Sequence, residues 1–240
     1  MSATEETPLL RLLGAKPAPG PQELAIFSRA RTWARRCAWI PGLRMVAVCN
    51  SATFFAADAD SDVDLFVVAD PRRMWLTRAL MTALFHLCGV RRHGDKVAGR
   101  MCLSFFCTTD ALNFSAIALP GGDPYLAAWV PRIVPALDRG GAADAFWDAN
   151  AAWAPTDDSA RDYRKTLGGG TPLPARTAPR WAARILDAAD AVLRSILLPR
   201  TLRHWENLGR PWGVTITESM LKFHDKDRRK AIRDELAKGA

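Results

Sequence analysis

The stretch from Asn50 to Asp70, NSATFFAADADSDVDLFVVAD, constrains this chain more than any other. Aspartates at 58, 60, 62 and 64 run directly into an apolar block, Leu65-Phe66-Val67-Val68. Val63 to Val68 reads as a buried strand. Successive side chains on a strand point to opposite faces, so Asp62 and Asp64 share one face and Val63 takes the other. Two carboxylates side by side repel, and burying either one is costly unless it is paired. A divalent cation with oxygen ligands relieves both problems, and Mg²⁺ in particular takes one or two carboxylates together with water and phosphate oxygens. The competing reading of Asp-x-Asp is an acidic turn at a solvated strand end. Asp58 and Asp60 lie in the preceding loop and read as solvated.

The rest of the chain supplies a frame for that strand. Residues 1–20, rich in Pro and Gly toward their end, read as a flexible leader. Pro21 to Ile40 is a predicted helix, with Leu24, Phe27, Ala30, Ala34 and Cys37 on one face, stopped by Pro41-Gly42. Arg44 to Cys49 is a short buried strand and Asn50 to Ser61 a loop. Asp70 and Pro71 look like the N-cap and first residue of a helix running to Cys88, ended by Gly89. Val90 to Arg100 is a basic connection, and Met101 to Cys107 is a third strand. Asn113 to Ala118 reads as a short fourth strand. Helices are expected over Pro124 to Leu137 and Gly141 to Trp153, a linker over Asp157 to Pro179, and a helix or kinked pair over Pro179 to Asn207, broken near Pro199. A short strand at Gly213 to Thr217 and a charged helix from His224 to Lys238 close the chain. The expected class is α/β (α+β): a small mixed sheet flanked by helices over residues 21–120, then a mainly helical region over 121–240.

Composition narrows the function. The 240 residues are 49% apolar and 24% charged, ordinary for a globular protein. The apolar stretches Ala79 to Val90 and Ala188 to Leu198 are too short and too interrupted to span a bilayer, and no signal-peptide core follows the start. A cytoplasmic protein without a membrane partner is expected. Five cysteines without C-x-x-C spacing read as reduced, buried thiols. The net charge of +8 favours a polyanionic partner such as a nucleoside triphosphate or nucleic acid.

The order strand, Asn50-Ser51, spacer, Ser61-Asp62-Val63-Asp64, apolar strand resembles the signature of the DNA polymerase β-like nucleotidyltransferase superfamily. There, a strand ends in Gly-Gly or Gly-Ser, a helical turn follows, and a strand with Asp-x-Asp comes about ten residues later. Asn50 stands where Gly is usual, and Asn tolerates left-handed backbone better than most residues. GRMCLSFF, DPYLAAWV, FWDANAAW and MLKFHDKDRR are similar to a poorly characterised bacterial branch of the superfamily. The resemblance covers roughly residues 20 to 120 and implies the following. Asp62 and Asp64 hold Mg²⁺ or Mn²⁺, and Asn50 and Ser51 let the phosphates of a nucleoside triphosphate approach the backbone. A nucleoside monophosphate then passes to a hydroxyl on a small molecule, an RNA end or a protein side chain.

Family members usually add a third carboxylate from a later strand, but here Met101-Cys102-Leu103-Ser104-Phe105-Phe106 contains no acid. Either one metal is enough, or Asp110 replaces the usual acid, or the site binds without reacting. Lys96 and Arg100 are the expected phosphate partners within the cluster Arg91, Arg92, His93, Lys96, Arg100. His93 reads as a surface residue rather than a base, and His204 and His224, far apart and without ligand spacing, receive no metal role. Trp33, Trp75, Trp129, Trp147 and Trp181 read as packing residues. Lys222, Lys226, Arg228, Arg229 and Lys230 read as one side of a solvated helix or a polyanion contact. The alternatives to an enzyme are a non-catalytic nucleotide- or RNA-binding module on the same fold, or the toxin of a toxin–antitoxin pair.

Overall fold

The computed structural model describes residues 7–155, 163–164, 166–167, 172–176 and 178–239. Strands β1 (Leu43–Val48), β2 (Val63–Ala69), β3 (Met101–Thr108), β4 (Val134–Asp138), β5 (Val214–Ile216) and β6 (Met220–Phe223) form one mixed sheet in the order β4-β1-β2-β3-β6-β5. β2 and β3 are parallel, and every other neighbouring pair is antiparallel. Around the sheet are helices α1 (Pro8–Leu12), α2 (Pro21–Cys37), α3 (Met74–Leu87), α4 (Pro124–Arg132), α5 (Ala142–Asn150), α6 (Arg180–Asn207) and α7 (Arg229–Lys238). The fold is mixed α/β with a helical C-terminal region, and that region also supplies β4, β5 and β6, which complete both edges of the sheet.

The central strands are apolar because both of their faces are covered. Val63, Leu65 and Val67 pack with α2 and α3 residues such as Phe27, Trp33, Trp75 and Phe85. Phe66 and Val68 point the other way, into a cluster with Phe105, Phe114, Trp129 and Phe146. Phe66 sits 5.0–5.5 Å, ring centre to ring centre, from those four aromatics. Each fully buried ring of this kind contributes about 1.5–3 kcal/mol. By the same alternation Asp62 and Asp64 project on the Phe66 side, where the sheet end opens.

Several expectations need correction. The leader is not loose from residue 7 onward: Thr7 caps α1, and Leu9 and Leu10 are buried. Asp70 does not cap α3. Its N–H donates to the Gly42 carbonyl, its own carbonyl accepts from Arg73, and Arg72 turns left-handed (φ 59°), so α3 starts only at Met74. Asn113 to Ala118 holds a 3₁₀ turn at Ser115–Ile117 rather than a strand. The helix expected to Leu137 ends at Arg132, because Ile133 turns extended after Pro131. The chain then pairs with β1 as the edge strand β4, where Pro135 is tolerated. α6 runs through Pro199 unbroken, with the proline on its exposed side, where a freed carbonyl meets solvent. The terminal helix begins at Arg229 rather than His224. Much of the linker expected at Asp157 to Pro179 lies outside the described residues, but Leu173 bonds to the Asp138 carbonyl and the Gly140 N–H at the end of β4. Cys37, Cys49, Cys102 and Cys107 are buried free thiols and Cys88 is exposed.

Candidate functional site

The site lies at the end of the sheet where β2 and β3 begin. β1 delivers the chain to Asn50, which has a left-handed backbone (φ 58°) and opens a 3₁₀ turn, Asn50–Ala52. The helical turn that the resemblance implies after β1 is therefore present, at Asn50–Ala52. Its start is fixed by side-chain chemistry that a glycine could not supply. Asn50 Nδ2 donates to Asp64 Oδ2 at 2.9 Å, and Asn50 Oδ1 accepts from Trp129 Nε1 at 2.8 Å. Trp129, expected only to pack, thus orients the amide that holds Asp64. Trp181, also expected to pack, is largely exposed.

Asp62 and Asp64 flank Val63 on the predicted face. Burial and then the nearby Asp64 charge push the Asp62 carboxyl up to about 6, while Arg92 works against that rise. Arg92 Nη1 lies 3.0 Å from Asp62 Oδ2, yet no aligned donor reaches that oxygen, which is buried without a hydrogen-bond partner. Cys102 faces Asp64 across the parallel β2–β3 pair. One ligand atom from each of Asp62, Asp64 and Cys102 lies within 4.8 Å of the others. Burial, reinforced by the two carboxylates, pushes the Cys102 thiol well above the ordinary range, so it stays protonated and accepts a 3.5 Å bond from Arg92. Asp58 and Asp60 are exposed. Asp58 accepts from Ser61 Oγ and the Asp60 N–H, closing the loop ahead of β2.

β3 carries an irregularity that shapes the site. From Asp64 to Phe66, β2 advances two residues while β3 advances three, from Cys102 to Phe105. This bulge lets Cys102, Ser104 and Phe105 all line one cleft of ≈ 450 Å³. Asn50, Ser51, Asp64, Tyr125, Trp129 and the segment Lys222–Arg229 complete most of its wall. On β6, Lys222 pairs in register with Phe105. His224 follows, with Nε2 3.5 Å from Ser104 Oγ and its ring edge-on to Phe105. Burial first, and Lys222 next, depress the His224 imidazole to about 4, so the ring is neutral at physiological pH.

The opposite wall is a closed ionic network. Lys222 Nζ meets Asp227 Oδ2 at 2.6 Å and donates to the Gly213 carbonyl at 2.9 Å. Arg229 spans Asp227 and Asp123, its Nη1 lying 2.7 Å from Asp123 Oδ2. Asp123 in turn caps α4 through the Leu126 N–H. Lys222 and Arg229, expected on a solvated helix, are therefore buried parts of this wall.

The structure brings together Asn50, Ser51, Asp62 and Asp64 but not the other expected site residues. Asp110 stands past the far end of β3 and takes a bond from Thr108 Oγ1. Thr108 lies six residue steps along β3 from Cys102, about 20 Å at 3.3 Å per residue, so Asp110 cannot join the pair. Lys96 is exposed in a tight turn with His93, and Arg100 serves β2 through its carbonyl, which accepts from the Val63 N–H. Neither lines the cleft, and the cation at the carboxylates is Arg92. From the sequence, Arg92 stands in the basic cluster behind Lys96 and Arg100, Trp129 reads as packing and Ser104 as an inward polar residue, while Cys102 and His224 have no site role, because sheet pairing, not local pattern, brings these residues together here. The one available signal was MLKFHDKDRR, singled out as a motif without a place in the fold.

Comparison of the chain with family models, with curated proteins and with solved structures finds no match. No helix among the described residues is long and apolar enough to cross a membrane.

Proposed function

We propose that the protein is a Mg²⁺- or Mn²⁺-dependent nucleotidyltransferase that moves a nucleoside monophosphate from a nucleoside triphosphate to a hydroxyl on a small molecule, an RNA end or a protein. One observation carries the reading: Asp64 lines the cleft, Asp62 shares its strand face, and one buried Asp62 oxygen has no hydrogen-bond donor among the described residues. The donor set fits a hard divalent ion. Asp62 and Asp64 offer the oxygen ligands Mg²⁺ prefers, and the protonated Cys102 thiol does not compete with them. When bound, the ion supplies positive charge that offsets the carboxylates and the triphosphate together.

The chain's own residues do the remaining work. Asn50 holds Asp64 in place. Arg92, about half exposed, holds Asp62 through an unaligned contact and Cys102 through a long 3.5 Å bond, both weak enough to give way to a phosphate. Lys226 and Arg228 line the same cleft as further cations, and Ser51 presents its hydroxyl at the turn beside Asp64. Phe54, Tyr125 and Trp129 give the cleft an aromatic side. A cytoplasmic setting, where triphosphates and Mg²⁺ are both at hand, suits this chemistry.

Calorimetry with ATP, CTP, GTP and UTP, with and without Mg²⁺, tests the reading. Binding of at least one triphosphate should require the ion. Ser51→Ala should weaken it by roughly 1 kcal/mol, and Ser51→Glu should block it through charge and volume. Equal binding by Ser51→Glu would move the phosphates elsewhere, and no metal-dependent binding by the parent sinks the proposal. A second reading, binding without transfer, is favoured by the absence of an acid on β3 together with the remote position of Asp110. Triphosphate binding without pyrophosphate release would select it.

A further inference from the structure

The proposed transfer leaves one need unmet. The acceptor hydroxyl must lose a proton as it attacks phosphorus, and β3 presents no carboxylate to the cleft. What β3 presents instead is Ser104, on the cleft face with Cys102 and facing His224, the residue after β6. We propose that His224 Nε2 takes the proton of the acceptor hydroxyl, an assignment that rests on the nucleotidyltransferase reading.

Position is the first argument. His224 lines the same cleft as Asp64 and Ser51, on the sheet face that carries the carboxylates. The second argument is availability. Ser104 Oγ, at 3.5 Å, is the hydrogen-bond partner of Nε2, and that distance is at the outer limit for such a bond. Nε2 faces Ser104, which lines the cleft with His224, and an incoming hydroxyl can replace this long contact at closer range.

Charge supplies the third. Burial and Lys222 keep the ring neutral, and its value of about 4 gives it roughly the basicity of an ordinary carboxylate. That matches the kind of group absent from β3. Asp64 and Asp227 favour the charged ring, so the imidazolium formed on proton arrival has negative charge nearby. The ring stands edge-on to Phe105, 6.1 Å between ring centres.

The step balances. The acceptor O–H bond breaks and its proton goes to Nε2. The acceptor oxygen bonds to the α-phosphorus, and the bond from that phosphorus to the bridging oxygen breaks. The electron pair leaves with pyrophosphate.

The test uses the full chain, Mg²⁺ and each of the four triphosphates, with glycerol and transfer RNA as acceptor hydroxyls. His224→Ala and His224→Gln are compared with the parent for triphosphate affinity by calorimetry and for pyrophosphate release. Loss of a general base should cut turnover by about 10²–10⁴-fold while affinity stays within about threefold. Added imidazole should restore turnover to His224→Ala by about tenfold or more, because it refills the space left by the ring; a merely structural role would not respond. His224→Gln, closer in volume, keeps the comparison valid if the alanine variant unfolds. Turnover unchanged in either folded variant overturns the assignment, as does a parallel loss of affinity and turnover without imidazole rescue. A parent that binds triphosphate but releases no pyrophosphate with any of these hydroxyls overturns it too, and leaves the binding module standing. A parent that binds no triphosphate removes the nucleotidyltransferase reading itself.

Discussion

Two acidic clusters, each with one carboxylate in the wall of the same cleft, are neutralised in opposite ways. Asp123 and Asp227 are almost fully enclosed, and each has a cation within 2.7 Å, Arg229 for the first and Lys222 for the second. Burial alone would raise the Asp227 carboxyl, yet Lys222, reinforced by Arg229, holds it below the ordinary value. Asp62 is less enclosed, its side chain 12% exposed against 1–3% for the other two, yet there burial and Asp64 prevail over Arg92. The lesson is that burial does not mark a working carboxylate. What marks it is negative charge left over after the protein's own cations are counted. The Asp123–Asp227 wall is complete as it stands, whereas the Asp62–Asp64 pair is one cation short.

Mutation should therefore move the two clusters in opposite directions. Asp227→Ala leaves Lys222 buried without its counter-charge and should cost about 3–5 kcal/mol in urea unfolding. Asp62→Asn removes one of two crowded charges. It should leave the apo protein as stable or more stable, by about 1–2 kcal/mol at pH 7, while abolishing Mg²⁺-dependent triphosphate binding. Comparable destabilisation by both substitutions would erase the distinction.

The pH dependence sharpens the contrast. Between the ordinary value of 3.8 and about 6, folded Asp62 holds more proton than unfolded Asp62. Its contribution to apo stability therefore falls as pH rises through that window, by about 1–3 kcal/mol in all. Asp227, with its carboxyl lowered, contributes with the opposite sign: its stabilisation is present above 3.8 and is lost as pH falls through the folded value. Asp62→Asn should flatten the decline between pH 4 and 6 in chemical denaturation and leave the acid limb below 3.8 in place. A decline of the same slope in Asp62→Asn would assign it to another group.

The difference between the clusters also separates what could be read from the sequence and what could not. Asp62-Val63-Asp64 followed by Leu65-Phe66-Val67-Val68 is a local pattern, and strand alternation fixes its face without knowledge of the fold. Partners are non-local. Arg92 reaches Asp62 because β3 runs parallel to β2, and the bulge that adds Phe105 to the face of Cys102 and Ser104 exists only in pairing. β6 was hidden for a different reason. Its charges of both signs resemble a solvated helix, yet Leu221 and Phe223 pack on one sheet face while Met220 and Lys222 serve the other, a period-two pattern four residues long. β4 was masked because Val134-Pro135-Ala136-Leu137 continues the apolar run of α4, and only pairing with β1 makes it a strand.

The smallest effect tests whether Asn50 belongs to the acidic pair or merely to the turn. Its φ of 58° favours glycine, so Asn50→Gly removes backbone strain, while losing the side-chain bonds to Asp64 and Trp129. Each bond is worth about 1 kcal/mol, and the relief with glycine is up to about 1 kcal/mol, so the net loss should be near 1 kcal/mol. Asn50→Ala loses the same bonds without the relief and should fall about 1 kcal/mol further. The two variants therefore differ in stability but share the loss of the amide. If Asn50 acts through Asp64, metal-dependent triphosphate affinity should drop by about the same 10-fold or more in both, whatever their order in unfolding. Affinity that instead tracks stability, with the glycine variant close to the parent, would make the amide a device of the turn alone and leave Asp64 positioned by β2 itself.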